Sequence, residues 1–190
     1  MHDGDDDVRL MLALGAGDES AFDQLFARWA GPLLRHLERI VRDAATAEEL
    51  VQETFLRLYR ARERYEPNAR FSTWLYTIAR RLALNALDRA AAQREQPLDP
   101  ADLPDAACPA PGPPEQLARR RRQARLQAAL RTLPADDRSV LALAYVQALS
   151  LADIARIEDC SAAAVRTRLW RARQRLRDAL GPDLEDDHDA

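Results

Sequence analysis

Residues 149–180, LSLADIARIEDCSAAAVRTRLWRARQRLRDAL, contain the most informative pattern in this 190-residue chain. Ser150 precedes a short apolar-periodic segment and Ser161 precedes a longer one, and serine is a preferred N-cap residue. Gly181 and Pro182 follow the second segment and are typical of a helix end. A short helix, a turn and a longer helix form a helix-turn-helix, so the sequence predicts that motif.

The second helix of this motif has two distinct faces. At 100° per residue, one face carries Val165, Leu169, Ala172 and Leu176 and is expected to pack inward. Six arginines and no acid lie between residues 161 and 177. Arginine binds guanine edges and phosphates through paired N–H groups, which favours DNA as the partner, although a solvated basic face is the alternative. The predicted DNA-contacting residues of this helix are Arg166, Thr167, Arg168, Trp170 and Arg171.

The net charge of −3 conceals an uneven distribution along the chain. Residues 115–180 hold 14 arginines and seven acids, a net charge of +7, whereas residues 181–190 carry a net charge of −5. All the cationic side chains are arginine, since the chain contains no lysine. Local charge governs binding to a polyanion, so the acidic total does not exclude nucleic acid.

A proline-rich segment divides the chain. Seven of the 11 prolines lie between residues 93 and 114, where proline blocks helix formation, so residues 91–114 are predicted to be a linker. Fully extended, the 22 residues from 93 to 114 reach about 70 Å, comparable to roughly two turns of duplex DNA. The segments on either side have helical and not strand-like periodicity. The predicted fold is therefore all-α, with two small helical domains joined by a Pro-rich linker.

Three helices are predicted in the first domain. The first has an apolar face that includes Phe22, Phe26 and Ile40, with a kink or restart at Gly31-Pro32. Thr46-Ala47-Glu48-Glu49 has the spacing of a capping box for the second helix, which extends to about Arg62. After a loop at 65–70, the third helix begins at Phe71. Its aromatic residues and arginines suit unstacked bases, and Tyr76 is expected to be exposed.

Enzymatic and membrane functions find little support in the sequence. There is no glycine-rich phosphate loop, nucleophile elbow or metal-binding cluster, and His36 is expected at the surface or its boundary. No apolar run is long enough to span a membrane, and the acidic N-terminus has the wrong charge for a signal peptide. Cys108 and Cys160 match no metal or redox spacing. We expect a cytoplasmic, non-enzymatic protein without a cofactor, metal or membrane insertion.

Four segments together resemble the extracytoplasmic-function sigma factors, which are small two-domain members of the sigma-70 family of bacterial RNA polymerase. They are LSLADIA at 149–155, VRTRLWRAR at 165–173, AEELVQETFLRLY at 47–59 and FSTWLYTIAR at 71–80. The resemblance covers about residues 18–90 and 115–180. Two separate motifs in the family's order are more specific than a single helix-turn-helix.

The resemblance implies a role for each domain. Residues 18–90 would be the region 2-like domain, which binds core polymerase and opens the −10 element, and residues 115–180 the region 4-like domain, which binds the −35 element. An acidic segment (1–17) and an acidic tail (181–190) would flank them. Glu49, Gln52 and Glu53 would contact the clamp helices of the largest polymerase subunit. The flap of the second largest subunit is a further implied contact, and an anti-sigma factor a possible partner.

The −10 contacts implied by the resemblance lie on the third helix and the loop before it. They are Arg70, Trp74, Tyr76, Arg80, Arg81 and Asn85. Three positions depart from the family pattern: Arg81 replaces a common Asn, Glu158-Asp159 a common Leu-Gly, and Ala163-Ala164 a common Gly-Thr. Asp159 is nevertheless suited to a left-handed backbone.

The predicted function is therefore that of a sigma factor, which brings core RNA polymerase to promoters and helps to melt the −10 region. A dimeric helix-turn-helix repressor or activator that acts without polymerase is one alternative. An adaptor whose basic helix binds an acidic protein is another.

Overall fold

The computed structural model describes residues 3–94 and 114–181, and within these ranges it contains helices and no strand. Four helices precede the gap: α1 (Asp3–Gly15), α2 (Ser20–Val41), α3 (Ala44–Ala61) and α4 (Phe71–Arg94). Four follow it: α5 (Pro114–Thr132), α6 (Ala135–Leu141), α7 (Leu151–Ile157) and α8 (Ala162–Leu180). A 3-10 turn (Arg62–Arg64) extends α3, and a π-helical turn (Ala142–Val146) extends α6. The all-α prediction is confirmed.

Helices α2, α3 and α4 pack around one core, in which Leu37, Phe55 and Leu75 are almost completely buried. Helix α1 also belongs to this core, since Met11 and Leu14 are fully buried. The buried Asp7 of α1 accepts a hydrogen bond from Arg28 of α2 at 2.5 Å. The acidic N-terminal segment therefore contains a packed helix that the sequence analysis did not identify.

Two local predictions for the first domain need correction, namely the restart at Gly31-Pro32 and the capping box at Thr46. Helix α2 continues through Pro32 as one element and does not restart there. Helix α3 is capped by Asp43, whose carboxylate accepts a hydrogen bond from the backbone N–H of Thr46 at 2.7 Å. Thr46 is thus inside the helix and not its N-cap. The acid three residues earlier does the capping, as the same local geometry requires.

The helix-turn-helix lies where the sequence predicted it. Ser150 caps α7 by accepting from the backbone N–H of Asp153, and Ser161 caps α8 by accepting from that of Ala164, each at 3.1 Å. In the turn between them Asp159 has φ 52°, in the left-handed region expected for this aspartate. Gly181, with φ 74°, ends α8.

The two domains are in direct contact. Helices α2 and α4 pack on α6 and α7, and Arg138 of α6 donates hydrogen bonds to the carbonyl oxygens of Arg39 and Ile40 near the end of α2. Burial, together with the nearby charge of Arg42, lowers the pKa of Arg138 to about 10. These bonds satisfy carbonyls that have no partner within the last turn of a helix.

Most of the predicted linker and the acidic tail lie outside the described residues, as does Cys108. Among the helices that the structure describes, none combines the length and the apolar character needed to cross a membrane.

Candidate nucleic-acid interface

The buried inner face of α8 holds the helix against the second domain, and the Ser161 cap defines where the helix begins. Val165, Leu169 and Ala172 are buried against the rest of the second domain, and Leu176 is half-buried, as the periodicity predicted. The capped first turn projects away from the body of the domain, since Ala163 and Ala164 are exposed. These small side chains allow a groove surface to approach the helix closely.

The outer face of α8 presents the predicted DNA-contacting side chains to solvent. Arg166, Thr167 and Arg171 are exposed, and Trp170 is 61% exposed, although it is a large apolar residue. Thr167 donates its hydroxyl proton to the carbonyl oxygen of Ala163, one turn earlier in the helix. This face offers two guanidinium groups and an indole to a ligand without any rearrangement.

Arg168 differs from its neighbours. It is only half-exposed, and it donates a hydrogen bond at 2.8 Å to the carboxylate of Glu158, whose side chain is fully buried. Arg168 is therefore engaged inside the protein and does not belong to the free face. Arg175, on another side of the helix, is paired with Asp137 within the second domain.

The start of α4 forms a pocket with the loop before it. Trp74 packs against Tyr65 with ring centroids 5.0 Å apart, and together with the loop they line a cavity of about 350 Å³. Its remaining lining residues are Ala61, Arg64, Glu66, Asn68 and Ala69. A half-buried indole beside polar side chains has the chemistry to stack a planar base and hydrogen-bond its edge.

The other predicted −10 residues are divided between surface and interior. Arg70, Arg81 and Asn85 are exposed, as a contact with DNA requires. Tyr76 is not, because its side chain is fully buried against Trp29 and His36, so the expectation that Tyr76 is exposed is wrong. The expected surface position of His36 is wrong for the same reason.

Arg80 is also buried, and it faces the second domain. Its guanidinium lies 2.9 Å from the carboxylate of Glu158 and 3.3 Å from that of Asp136. Asp136 and Asp137 lie in the first turn of α6, where acids also suit the helix N-terminus, and both form ion pairs. The sequence analysis missed Asp153, which accepts a hydrogen bond from Thr73 across the domain boundary. Sequence patterns within one domain carry no signal for these contacts.

The residues predicted to bind polymerase lie on α3. Glu49 and Gln52 are exposed, whereas Glu53 is half-buried and paired with Arg57 at 2.8 Å. Two large apolar side chains, Phe26 and Leu56, are also exposed, by 41% and 42%. Phe26 had been expected on the inner face of its helix. Leu56 lies one turn after Gln52 and Glu53 on α3, and exposed apolar side chains among polar ones are typical of a protein-binding surface.

Within the described residues, no group of three or more His, Cys, Asp and Glu side chains is arranged to hold a metal ion.

Comparison with known proteins adds two family matches. Residues 25–93 match the model of sigma-70 region 2, and residues 123–176 match that of sigma-70, region 4. The chain is 38% identical over 166 residues to the RNA polymerase sigma factor CarQ of Myxococcus xanthus, which covers 87% of this chain and 92% of CarQ. It is 32% identical over 188 residues to the RNA polymerase sigma-H factor of Pseudomonas aeruginosa, with 95% and 96% covered.

Two solved structures have the same fold. CnrH in complex with the cytosolic domain of CnrY superimposes with a TM-score of 0.65 at 24% identity, covering 90% of this chain and 94% of CnrH. RpoE in complex with the anti-sigma factor NepR, from Bartonella quintana, gives 0.67 at 22% identity, covering 84% and 96%.

Proposed function

The chain belongs to the extracytoplasmic-function sigma factors of the sigma-70 family, and it therefore directs promoter-specific transcription initiation by RNA polymerase. From this premise we propose which residues contact promoter DNA and which contact the polymerase. The observation that carries the proposal is the outer face of α8. This capped helix rests on a buried apolar face and presents exposed arginines and Trp170. We assign this face to the major groove of the −35 element.

In this assignment Arg166 and Arg171 read base edges and Thr167 and Trp170 contact the bases or the backbone beside them. Arginine makes bidentate contacts with guanine O6 and N7, and an indole packs against the methyl group of thymine or a sugar. Arg168 joins the contact only if its ion pair with Glu158 is released.

We assign the Trp74 pocket to a flipped base of the −10 element. The indole supplies a stacking surface, and Glu66 and Asn68 supply hydrogen-bonding groups beside it. Arg70, Arg81 and Asn85 are exposed nearby on the loop and on α4, where they would hold the opened strand. Stacking and phosphate contacts offset the free energy of unstacking, so melting needs no nucleotide hydrolysis by this chain.

The polymerase surface is proposed to comprise Glu49, Gln52 and Glu53 with the exposed Phe26 and Leu56. This surface would bind the clamp helices of the largest subunit, and the second domain would bind the flap of the second largest. RNA synthesis then belongs to the polymerase, and the chain itself would catalyse no reaction. It would act in the cytoplasm, where the polymerase and the chromosome are.

The decisive experiment is in vitro transcription with core enzyme and mapping of the start sites. We expect a promoter-dependent transcript that requires this chain. A purified chain that binds DNA specifically but never core polymerase in a pull-down would refute the assignment of its function.

A matched pair of variants tests the polymerase surface. The double variant Glu49→Ala/Gln52→Ala should lose affinity for core enzyme, by about tenfold for an interface contact of roughly 1.4 kcal/mol. Glu63→Ala removes another exposed acid of the first domain, one paired only with the adjacent Arg62, and should bind normally. Equal affinity of both variants for core enzyme would show that these α3 residues do not bind the polymerase.

We further propose that an anti-sigma factor binds the groove between the domains. This groove, of about 770 Å³, exposes the apolar residues Leu126, Tyr145 and Val146 between arginines of α2, α5 and α8, which outnumber the two acids, Glu38 and Asp43, in its lining. An apolar floor with a cationic rim is complementary to an amphipathic helix with acidic flanks. Leu126→Asp should weaken such a complex and leave transcription with core enzyme unchanged.

A further inference from the structure

Glu158 lies in the turn between α7 and α8, and its carboxylate is the centre of a polar cluster. The side chain is fully buried, accepts hydrogen bonds from two groups and forms an ion pair with a third. Arg80 of the first domain is 2.9 Å away, and Arg168 and Ser139 of the second domain are each 2.8 Å away. One carboxylate therefore joins the helix proposed to bind the −10 strand to the helix proposed to bind the −35 groove.

Two further carboxylates make contacts across the same boundary. Asp153 accepts a hydrogen bond from Thr73 at 3.1 Å and lies 4.0 Å from the guanidinium of Arg70. Asp136 lies 3.3 Å from Arg80. Asp153 and Glu158 are 6% and 4% exposed, so solvent screens their charges only weakly.

The guanidinium groups at this boundary belong to residues that the sequence predicts to bind DNA, although Arg80 and Arg168 are paired within the protein. Arg70, Arg80 and Arg168 each face a carboxylate of the second domain, where bound DNA would offer a phosphate. Both anions bind guanidinium through charge-assisted hydrogen bonds of similar geometry, so one arginine N–H cannot serve both. Asp136 and Glu158 thus engage N–H groups of Arg80 and Arg168 that a phosphate would need, whereas Asp153 lies 4.0 Å from the exposed Arg70.

We propose that these three carboxylates form a latch that holds the two domains together and competes with promoter DNA for the same arginines. The proposal rests on the proposed function, and it adds an intramolecular competitor that the DNA must displace. The latched chain still exposes Arg166 and Arg171, but it withholds Arg80 and Arg168. The apparent promoter affinity of the free chain is then its intrinsic affinity reduced by the fraction of unlatched molecules.

The test compares Glu158→Gln with a matched control, Asp137→Asn. Both substitutions neutralise a buried carboxylate that pairs with an arginine of α8, but Asp137 pairs with Arg175 inside the second domain. Donor and acceptor dyes on Ala45→Cys and Ala179→Cys, in a full-length chain with Cys108→Ser and Cys160→Ser, report the distance between the domains. Both alanines are exposed.

Glu158→Gln is expected to lower energy transfer between the dyes and to tighten promoter binding by the free chain about tenfold. Asp137→Asn should change neither quantity beyond the effect of one lost negative charge. Unchanged energy transfer in Glu158→Gln, or an equal fall in both variants, would overturn the latch.

Circular dichroism shows whether Glu158→Gln still folds. A second variant tests the proposal if it does not. Thr73→Val keeps the shape of the side chain and removes the donor to Asp153, so it should lower energy transfer in the same direction by a smaller amount. If Glu158→Gln unfolds and Thr73→Val leaves the distance unchanged, the proposal is wrong. Transcription by the wild-type chain with core enzyme separately decides the proposed function, whereas the dye distance depends on no activity.

Discussion

The imidazole of His36 and the phenol ring of Tyr76 pack edge to face, with ring centroids 4.9 Å apart and an interplanar angle of 77°. Both side chains are fully buried. The Tyr76 hydroxyl and both imidazole nitrogens lack hydrogen-bond partners among the described residues. This pair joins α2 to α4 through shape and aromatic contact, so both residues contribute to the packing of the first domain.

Substitution of Tyr76 separates a role in packing from a role in DNA binding. Tyr76→Phe removes a buried hydroxyl without a partner, so the free energy of unfolding should stay the same or rise slightly. Tyr76→Ala should lower it by about 3–5 kcal/mol, the cost of a large cavity in a packed core. Urea denaturation measures both. If Tyr76→Phe keeps its stability but loses promoter opening, the hydroxyl contacts DNA after a rearrangement and the buried assignment fails.

His36 makes stability depend on pH in the acidic range. Burial, with smaller effects of Arg39 and Arg80, lowers the pKa of His36 from 6.5 to about 3. Below pH 6.5 the unfolded chain binds a proton that the folded chain does not, so stability falls as the pH falls toward 3. At about pH 5.5 the loss from this residue alone is about 1.4 kcal/mol, and above pH 7.5 it is negligible.

The variant His36→Leu tests this effect. It fills the same site with a side chain that does not titrate, and its free energy of unfolding should be less dependent on pH between about 4 and 7. His2 and His188 are present in both proteins, so their contributions cancel in the comparison. Identical pH profiles for the two proteins would show that folding does not lower the pKa of His36.

The local features of the second domain could be predicted because local sequence determines them. Serine caps, a 3.6-residue apolar period and an aspartate in a left-handed turn act within a few residues of one another. Ser150, Ser161, Val165 and Asp159 therefore lie as expected. His36 could have been found in the same way, since it follows Leu33 by three residues and precedes Ile40 by four, on the same apolar stripe.

The environment of α4 could not be predicted, because α2 covers one side of this helix and the second domain covers another. Tyr76 faces α2, whereas Thr73 and Arg80 face the second domain. An arginine next to aromatic residues has the same pattern whether it faces solvent, DNA or a carboxylate 78 residues later. The pairing of Arg80 with Glu158 depends on how the domains dock, and no periodicity within one helix encodes that arrangement.

The proposed base contacts of α8 predict a difference between its arginines. Arg166→Ala and Arg171→Ala should each cost about 1–3 kcal/mol of promoter binding and relax the preference for one base pair. Arg175→Ala removes the same charge but breaks the pair with Asp137, so it should lower stability and leave the base preference intact. Binding to a set of −35 variants measures this. A uniform loss across all sequences for Arg166→Ala would assign that residue to phosphate.

The Trp74 pocket predicts a defect in promoter opening and not in recruitment. Trp74→Ala removes the stacking surface beside Tyr65, and stacking on an aromatic side chain is worth about 1–3 kcal/mol per base. We expect open-complex formation with core enzyme to fall by about tenfold or more, measured by the fluorescence of 2-aminopurine placed in the −10 element. Binding to core enzyme alone should not change.

Trp29→Phe is the matched control for this prediction. Trp29 is also a tryptophan of the first domain near Phe71, but it packs toward Tyr76 and does not line the pocket. Its substitution should alter stability modestly and leave the fluorescence change intact. If both variants open the promoter as the wild type does, the flipped base binds elsewhere. If both fail, the defect arises from the packing of α4, since only that helix contacts both indoles through its aromatic residues.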